Sequence, residues 1–164
     1  MRLHLLAFGK MRTPGLGESC AYYLRNLQHW VATSEHELKA IAVPDKSPAS
    51  RAQIQEKEAL ILREKLNSLL SPRGIFYLLD EVGKSQSTQD WAKMVNEWEA
   101  SGVTEVAFCL GSSLGFAPSL HSQARGLVSL GPQTLPHELA RVVVAEQLYR
   151  AWSVTRGHPY HVQG

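Results

Sequence analysis

The spacing of apolar residues changes repeatedly along the chain between that of a strand and that of a helix. Arg2–Phe8 is largely apolar and ends at Gly9, which predicts a first strand. Apolar residues then recur at helical spacing and predict an amphipathic helix over roughly Gly17–Val31. The alternating stretch Glu37–Val43, which ends at Pro44, predicts a second strand.

The same alternation continues through the rest of the chain. The continuous apolar run Gly74–Leu79 is typical of a central strand that is buried on both faces. The other predicted elements are a long helix (Arg51–Leu70), a loop (Asp80–Ser87), a helix that begins at the capping box Ser87–Asp90 and ends at Gly102, a strand (Thr104–Leu110), a short helix after Pro118, a strand (Leu127–Leu130) and a final helix from Pro136 to about Thr155. This order predicts an α/β fold with a mostly parallel sheet of about five strands flanked by helices, which binds ligands beyond the carboxyl ends of its strands.

The composition is that of one globular domain, which we expect to span residues 1–164. Apolar residues make up 44% and charged residues 20%, and the apolar runs are short, so we expect no membrane partner. The first residues are expected to form a strand rather than a signal peptide. Cys20 and Cys109 have no paired spacing, so we expect free thiols, no metal site and a cytoplasmic location.

Glycine-bearing loops follow two of the predicted strands, after Leu79 and after Leu110. Asp80 and Glu81 in the first loop could hold a ribose hydroxyl or a cation, or could simply form a solvated turn. The second loop, Gly111–Gly115, allows close approach of the backbone to a ligand. It lacks the Lys-Ser/Thr ending of a phosphate-binding P-loop and the glycine spacing of a dinucleotide-binding loop.

A third loop, Ser129–His137, offers few side chains suited to catalysis but many backbone N–H and C=O groups. Such a loop suits recognition of a neutral heterocycle such as adenine, although an ordinary turn into a helix has the same pattern. In the following helix, Glu146 is expected to pair with Arg150 four residues on. The tail Arg156–His161 carries groups that stack on bases or contact phosphate, or it is a frayed helix end.

Taken together, these motifs are far more specific than any of them alone. The chain contains, in this order, LLDEVGK, FCLGSSLGF and SLGPQTLPHELARVVVAEQLYRAWSVTRGHPYH. This combination resembles the family of 23S rRNA pseudouridine N3-methyltransferases, which belongs to the SPOUT class. The resemblance covers essentially the whole chain, including the opening LHLLAFGK and the segment Tyr23–Arg25, and is weakest between about Val43 and Pro72.

The resemblance implies a fold, a cofactor and a substrate. The fold would be the SPOUT α/β knot, in which the C-terminal segment threads through a loop as a trefoil knot. The protein would be a homodimer that uses S-adenosyl-L-methionine to methylate N3 of a pseudouridine, position 1915 in the usual rRNA numbering, in 23S rRNA of the assembled ribosome. Carried over by position, the cofactor-binding residues are Leu79, Gly111, Leu130, Gly131, Pro132, Gln133, Thr134 and Leu135.

Catalytic candidates group around the third loop and the tail. They are His137, Arg141, Tyr160 and His161, which could handle the N3 proton or position the base. His137 could instead make structural hydrogen bonds in the first turn of its helix, and Arg141 could pair with Glu138 or Glu146.

The formal net charge of +2 permits RNA binding without establishing it. Basic residues that could form a patch across two subunits, or belong to an ordinary mixed surface, are Lys10, Arg12, Arg25, Lys46, Arg51, Lys84, Arg150 and Arg156.

The sequence departs from the family pattern at two places. Ser112 stands where the family usually has a second glycine, so its Cβ could crowd a ligand or be harmless. The tail ends in Val162–Gly164, where the family tends to carry a basic or histidine residue. Two alternatives therefore stay open: a SPOUT methyltransferase that acts on another RNA, and a non-catalytic RNA-binding protein of ribosome maturation.

Overall fold

Strands and helices alternate along the chain, and a computed structural model describes residues 1–162 of it. The elements are β1 (Arg2–Phe8), α1 (Leu16–Leu27), β2 (Ala32–Leu38), α2 (Pro48–Leu69), β3 (Ile75–Ser85), α3 (Thr88–Ser101), β4 (Glu105–Leu110), α4 (Pro118–His121), β5 (Gly126–Ser129) and α5 (His137–Thr155). The strands form one sheet in the order β2-β1-β4-β3-β5, and every neighbouring pair is parallel. The predicted α/β class with a five-stranded parallel sheet is confirmed.

Helices cover both faces of the sheet because the central strands are apolar on both sides. In β1, Leu3 and Leu5 pack into one core with residues of α1, α3 and α5. Leu6 and Phe8 of the same strand pack on the opposite face with residues of α2 and α4. The knotted path of the C-terminal segment stays a prediction.

The second strand lies earlier in the chain than predicted. The alternation in Glu37–Val43 was the wrong signal, because the strand is Ala32–Leu38 and the chain is irregular from residue 39 to residue 47. β2 is an edge strand that is held through its backbone pairing with β1, in the register Arg2↔Ala32 to Phe8↔Leu38. Its side chains are mostly exposed, so burial imposes no apolar period on its sequence.

The predicted loop Asp80–Ser87 is also wrong in part, because β3 continues to Ser85. An irregularity in the β3–β5 pairing lies between Leu79 and Lys84, after which Lys84 pairs with Val128. Gly83 permits this arrangement: a Cβ on Gly83 would lie only 2.6 Å from the carbonyl carbon of Leu127. β3 therefore bulges between Leu79 and Lys84 and then pairs with β5 again.

Two local predictions are confirmed. Ser87 and Asp90 form the capping box of α3, in which each side chain bonds to the backbone N–H of the other residue. Glu146 and Arg150 form an ion pair in α5. Within the described part of the chain, no helix has the length and apolar character needed to cross a membrane.

Candidate functional site

A cavity of about 570 Å³ lies beyond the carboxyl ends of β3, β4 and β5. Its volume is that of a small-molecule site, and its position is where parallel α/β sheets bind ligands. The three loops that the sequence singled out form its walls, together with the first turn of α5 and two side chains of α2, Arg51 and Gln55.

Most of the predicted cofactor-binding residues line this cavity. They are Leu79, Gly111, Leu130, Gly131, Gln133, Thr134 and Leu135. Pro132 belongs to the same loop but is not among the lining residues. The sheet thus brings together residues that are up to 56 positions apart in sequence, from 79 to 135.

The third loop has a shape that leaves room for a ligand beside its backbone. Gly131 has a φ of 114°, which favours glycine, and a Cβ at this position would meet no protein atom within 4 Å. The Ser129 hydroxyl donates to the carbonyl of Gly131 (3.1 Å) and accepts from its N–H (3.2 Å). These bonds stiffen the turn beside an open space.

The second loop is held against α2 by side-chain hydrogen bonds. Gln55 Nε2 and Arg51 Nη2 both donate to the carbonyl oxygen of Leu114, at 2.7 Å and 3.1 Å. Ser112 Oγ donates to Glu58 Oε1 at 2.6 Å and accepts from the N–H of Leu114. Glu58 is only 4% exposed and lies outside the cavity lining. The hydroxyl of Ser112 therefore binds to α2 rather than facing the cavity as a free donor.

The ionisable side chains of the lining are Arg51, Asp80, Glu81 and His137. Asp80 Oδ2 lies 3.1 Å from Nε2 of His121, and Asp80 Oδ1 accepts from the backbone N–H of Val82. Asp80 therefore supports the bulge of β3. His137 lies in the first turn of α5, beside the positive end of the helix dipole.

Arg141 does not reach the cavity. Its side chain is fully buried, its Nη1 lies 3.0 Å from Glu37 Oε2, and its Nη2 donates to the carbonyl of Gly9 at 2.9 Å. Glu35 is the next carboxylate, at 3.8 Å. The alternative pairing of Arg141 with Glu138 or Glu146 is wrong, because Glu138 bonds to the loop after β1 and Glu146 to Arg150.

Tyr160 and His161 pack far along α5 from His137. Tyr160 donates its hydroxyl to Glu146 at 3.0 Å, and the Arg150 guanidinium lies 4.8 Å from the centre of its ring. His161 Nδ1 lies 3.3 Å from Arg150 Nη1. Glu146 is nine residues beyond His137, or about 14 Å along the helix axis. In one chain, the tail is therefore separate from the cavity.

The environment of Tyr160 keeps its hydroxyl protonated. Burial, followed by the neighbouring Glu146 carboxylate, raises the pKa of Tyr160 far above its ordinary value. The tyrosine is thus a hydrogen-bond donor in this arrangement. Gln163 and Gly164, on which part of the expectation about the tail depends, lie outside the described residues.

The two thiols are buried and lie apart from the cavity lining. Burial and the neighbouring Glu35 raise the pKa of Cys20 to about 12, and burial also raises the pKa of Cys109. Protonated thiols in the protein interior are poor nucleophiles and poor ligands. Among residues 1–162, no three or more His, Cys, Asp or Glu side chains group as metal ligands.

Sequence reasoning did not identify Gln55 and Glu58 as functional residues, and it placed Arg51 only in a diffuse basic patch. These residues lie in the part of the chain where the resemblance is weakest. Their helical spacing was the only local signal, since they face the second loop from one side of α2.

Comparisons with known proteins agree with this architecture. A family model described as a predicted SPOUT methyltransferase matches residues 1–161. Proteins named ribosomal RNA large subunit methyltransferase H are similar to the chain: one from Streptococcus equi subsp. zooepidemicus (strain MGCS10565) is 34% identical over 162 residues, covering 98% of this chain and 99% of the relative. Another, from Solidesulfovibrio magneticus, is 36% identical over 159 residues, covering 97% of each chain.

A solved structure supports the fold. The crystal structure of a probable methyltransferase from Bordetella pertussis Tohama I matches with a TM-score of 0.55 at 17% identity, covering 92% of this chain and 95% of that one. With a family model that spans nearly every residue and relatives above 30% identity over nearly their full length, the chain belongs to the SPOUT methyltransferase family.

Proposed function

We propose that this protein transfers a methyl group from S-adenosyl-L-methionine to N3 of pseudouridine 1915 in 23S rRNA of the assembled ribosome. The observation that carries the proposal is the cavity at the carboxyl ends of β3, β4 and β5, whose lining contains nearly all residues assigned to the cofactor. The names of the relatives support the choice of large-subunit rRNA as the substrate.

The lining fits S-adenosyl-L-methionine in size and in chemistry. A backbone-rich turn at residues 130–135 suits the adenine ring, and the carboxylate of Glu81 is available for the ribose or the amino group. When bound, this cofactor supplies an electrophilic methyl group on a sulfonium. The protein's own residues then have to orient the base toward that methyl group and exclude water.

We assign the handling of the N3 proton to His137, because it is the catalytic candidate that lines the cavity. Histidine is the residue most often used as a general base in enzymes. Arg141 acts as a positioning residue, because it fixes the start of α5 to the end of β1 and to β2.

We assign RNA contacts to Tyr160 and His161 from the partner subunit of a homodimer, since neither residue reaches the cavity of its own chain. A cluster of aromatic side chains from α1, α5 and the segments that follow them supports such a dimer. Its members are Tyr22, Tyr23, Trp30, Tyr149 and Tyr160, of which Tyr149 is buried and Tyr22 is exposed. Tyr22 is 51% exposed, and aromatic residues are enriched in protein interfaces.

We further infer that residues 1–164 act as a single domain, since one family match covers residues 1–161. We also infer a cytoplasmic location, because the proposed substrate is the ribosome. Ser112 does not argue against catalysis, because its hydroxyl bonds to Glu58.

The test is methyl transfer by the purified protein from isotope-labelled S-adenosyl-L-methionine to assembled ribosomes, free 23S rRNA and tRNA. Label on one pseudouridine of ribosomal 23S rRNA is expected. Label on another RNA would favour the alternative that the protein is a SPOUT methyltransferase with a different RNA substrate. Ribosome binding without methyl transfer would favour the alternative of a non-catalytic RNA-binding protein. His137→Gln is expected to slow transfer at least ~10-fold, with the exposed His29→Gln as the matched control.

A further inference from the structure

We propose that Arg51 binds the carboxylate of the amino-acid moiety of the methyl donor, and that Gln55 and Glu58 hold the second loop in place beside it. The inference rests on the proposed function, because the ligand is S-adenosyl-L-methionine. It assigns a donor-binding role to α2, outside the three loops to which the family resemblance assigns the cofactor.

The arrangement begins with the spacing of the three residues on one helix. Positions 51, 55 and 58 lie on the same face of α2, separated by one turn each. Arg51 and Gln55 donate to a single carbonyl oxygen, that of Leu114, and Glu58 accepts from Ser112. The second loop is therefore fixed to α2 at both Ser112 and Leu114. The bond to Leu114 also orients the Arg51 guanidinium at the edge of the cavity.

The guanidinium keeps donors for a ligand. Arg51 uses Nη2 for the Leu114 carbonyl, and within residues 1–162 its other N–H groups have no hydrogen-bond acceptor and its side chain has no carboxylate within 4.0 Å. A guanidinium presents a planar fork that matches the two oxygens of a carboxylate. The exposed position of Arg51 leaves this fork accessible from the cavity.

The charges around the cavity match those of a zwitterionic ligand. Arg51 is the only Lys or Arg among the described lining residues, and the acidic lining residues, Asp80 and Glu81, belong to β3. Asp80 is engaged by His121 and the Val82 N–H, which leaves Glu81 as the carboxylate for the ligand's ammonium group. The lining thus contains one guanidinium and, besides Asp80, one carboxylate of opposite charge to the two charges of the amino-acid moiety.

The test compares the methyl donor with a ligand that lacks its amino-acid moiety. Calorimetry would measure binding of S-adenosyl-L-methionine and of methylthioadenosine, which retains the adenine, the ribose and the sulfur with its methyl group. Methylthioadenosine lacks the carboxylate, the ammonium group and the sulfonium charge. Arg51→Gln is the informative variant, because glutamine can still donate to the Leu114 carbonyl. Lys57→Gln, which removes an exposed cation from the same helix outside the cavity, is the matched control.

We expect Arg51→Gln to weaken binding of S-adenosyl-L-methionine by at least ~10-fold and to change binding of methylthioadenosine by less than ~2-fold. Lys57→Gln should change neither. An equal loss for both ligands would overturn the proposal, because Arg51 would then act only by shaping the loop. Unchanged donor binding with weaker, less salt-dependent ribosome binding would also overturn it in favour of an RNA phosphate contact. Failure of the wild-type protein to bind either ligand would overturn the proposed function as well.

Discussion

At the scale of single residues, Arg141 links three segments that are far apart in sequence. Its guanidinium joins α5 to the carbonyl of Gly9 after β1 and to Glu37 of β2, across 132 and 104 positions of sequence. The side chain is fully buried, so its charge depends on these partners for compensation.

We predict that Arg141→Met lowers the free energy of unfolding by about 1–3 kcal/mol, because it leaves the Gly9 carbonyl without its buried donor. Chemical denaturation measures the change. Arg25→Met, at an exposed position of α1, is the control and should change stability by less than ~0.5 kcal/mol. Equal stability of both variants would show that the Arg141 network contributes nothing.

Gly83 is a second residue on which the site depends. A side chain here would collide with the backbone of Leu127 and Val128, at 2.6–2.7 Å from the Cβ. We predict that Gly83→Ala separates the bulge from β5, lowers stability by about 1–3 kcal/mol and weakens donor binding, because Leu79 and the third loop flank this contact.

The control for Gly83 is Gly17→Ala in α1, where a Cβ would lie 3.4 Å from Met11 Cβ, an ordinary contact. It should be neutral or slightly stabilising, because alanine favours helix. Thermal melting and calorimetry measure both variants. A Gly83→Ala protein that melts and binds like the wild type would contradict the close packing of the bulge.

At the scale of elements, the loop after β1 is tied to the first turn of α5. Glu138 accepts hydrogen bonds from the backbone N–H of Arg12, from the N–H of Thr13 at 3.0 Å and from the Thr13 hydroxyl at 2.8 Å. These bonds, with that to the Thr13 N–H the largest cause, lower the pKa of Glu138 below its ordinary value of about 4.5. The loop and the helix that carries His137 therefore hold each other in place through an ionised carboxylate.

We predict that this tie is complete above the ordinary pKa of a glutamate and is lost as the pH falls through the lowered pKa of Glu138, since a depressed carboxyl pKa stabilises the folded state on its alkaline side. Hydrogen exchange of the Thr13 amide should accelerate, relative to its intrinsic rate, across that acidic range. Glu138→Gln should show fast exchange already at neutral pH. Protection of Thr13 in the variant equal to that in the wild type would contradict the tie.

The sequence predicted the elements whose signals are local. The capping box of Ser87 and Asp90 and the pair Glu146–Arg150 depend on residues within four positions of each other. The bounds of β2 were predicted wrongly because an exposed edge strand has no buried face that would require alternating apolar residues. The extension of β3 to Ser85 was not predicted because it depends on the close packing of Gly83 against β5, more than 40 residues later in the chain.

The same distinction applies to the site. The three loops could be predicted because parallel strands bring their carboxyl ends to one edge, and the resemblance named the residues within them. The bonds of Gln55 and Glu58 join positions more than 50 residues apart, so their helical spacing alone could not show that they bond to the second loop. The burial of Arg141 likewise follows only from packing of α5 against β1 and β2.

At the scale of the whole molecule, the proposed homodimer brings the C-terminal tail of one subunit to the cavity of the other. Tyr22 on α1 and Leu60 on α2 are both exposed, at 51% and 63%, but they lie on opposite sides of the sheet. We predict a dimer mass by light scattering. Tyr22→Arg should shift the mass toward that of the monomer, and Leu60→Arg should not, because the proposed interface lies on the α1 side of the sheet. A monomer at all concentrations would contradict the dimer.

The central claim is that this chain methylates a single pseudouridine of the large ribosomal subunit. The most direct test is mass spectrometry of 23S rRNA from a strain that lacks the protein, compared with the parent strain and a strain with the gene restored. We predict the loss of one methyl group from the pseudouridine at position 1915 and its return on complementation. A methylated pseudouridine at that position in the deletion strain would contradict the account.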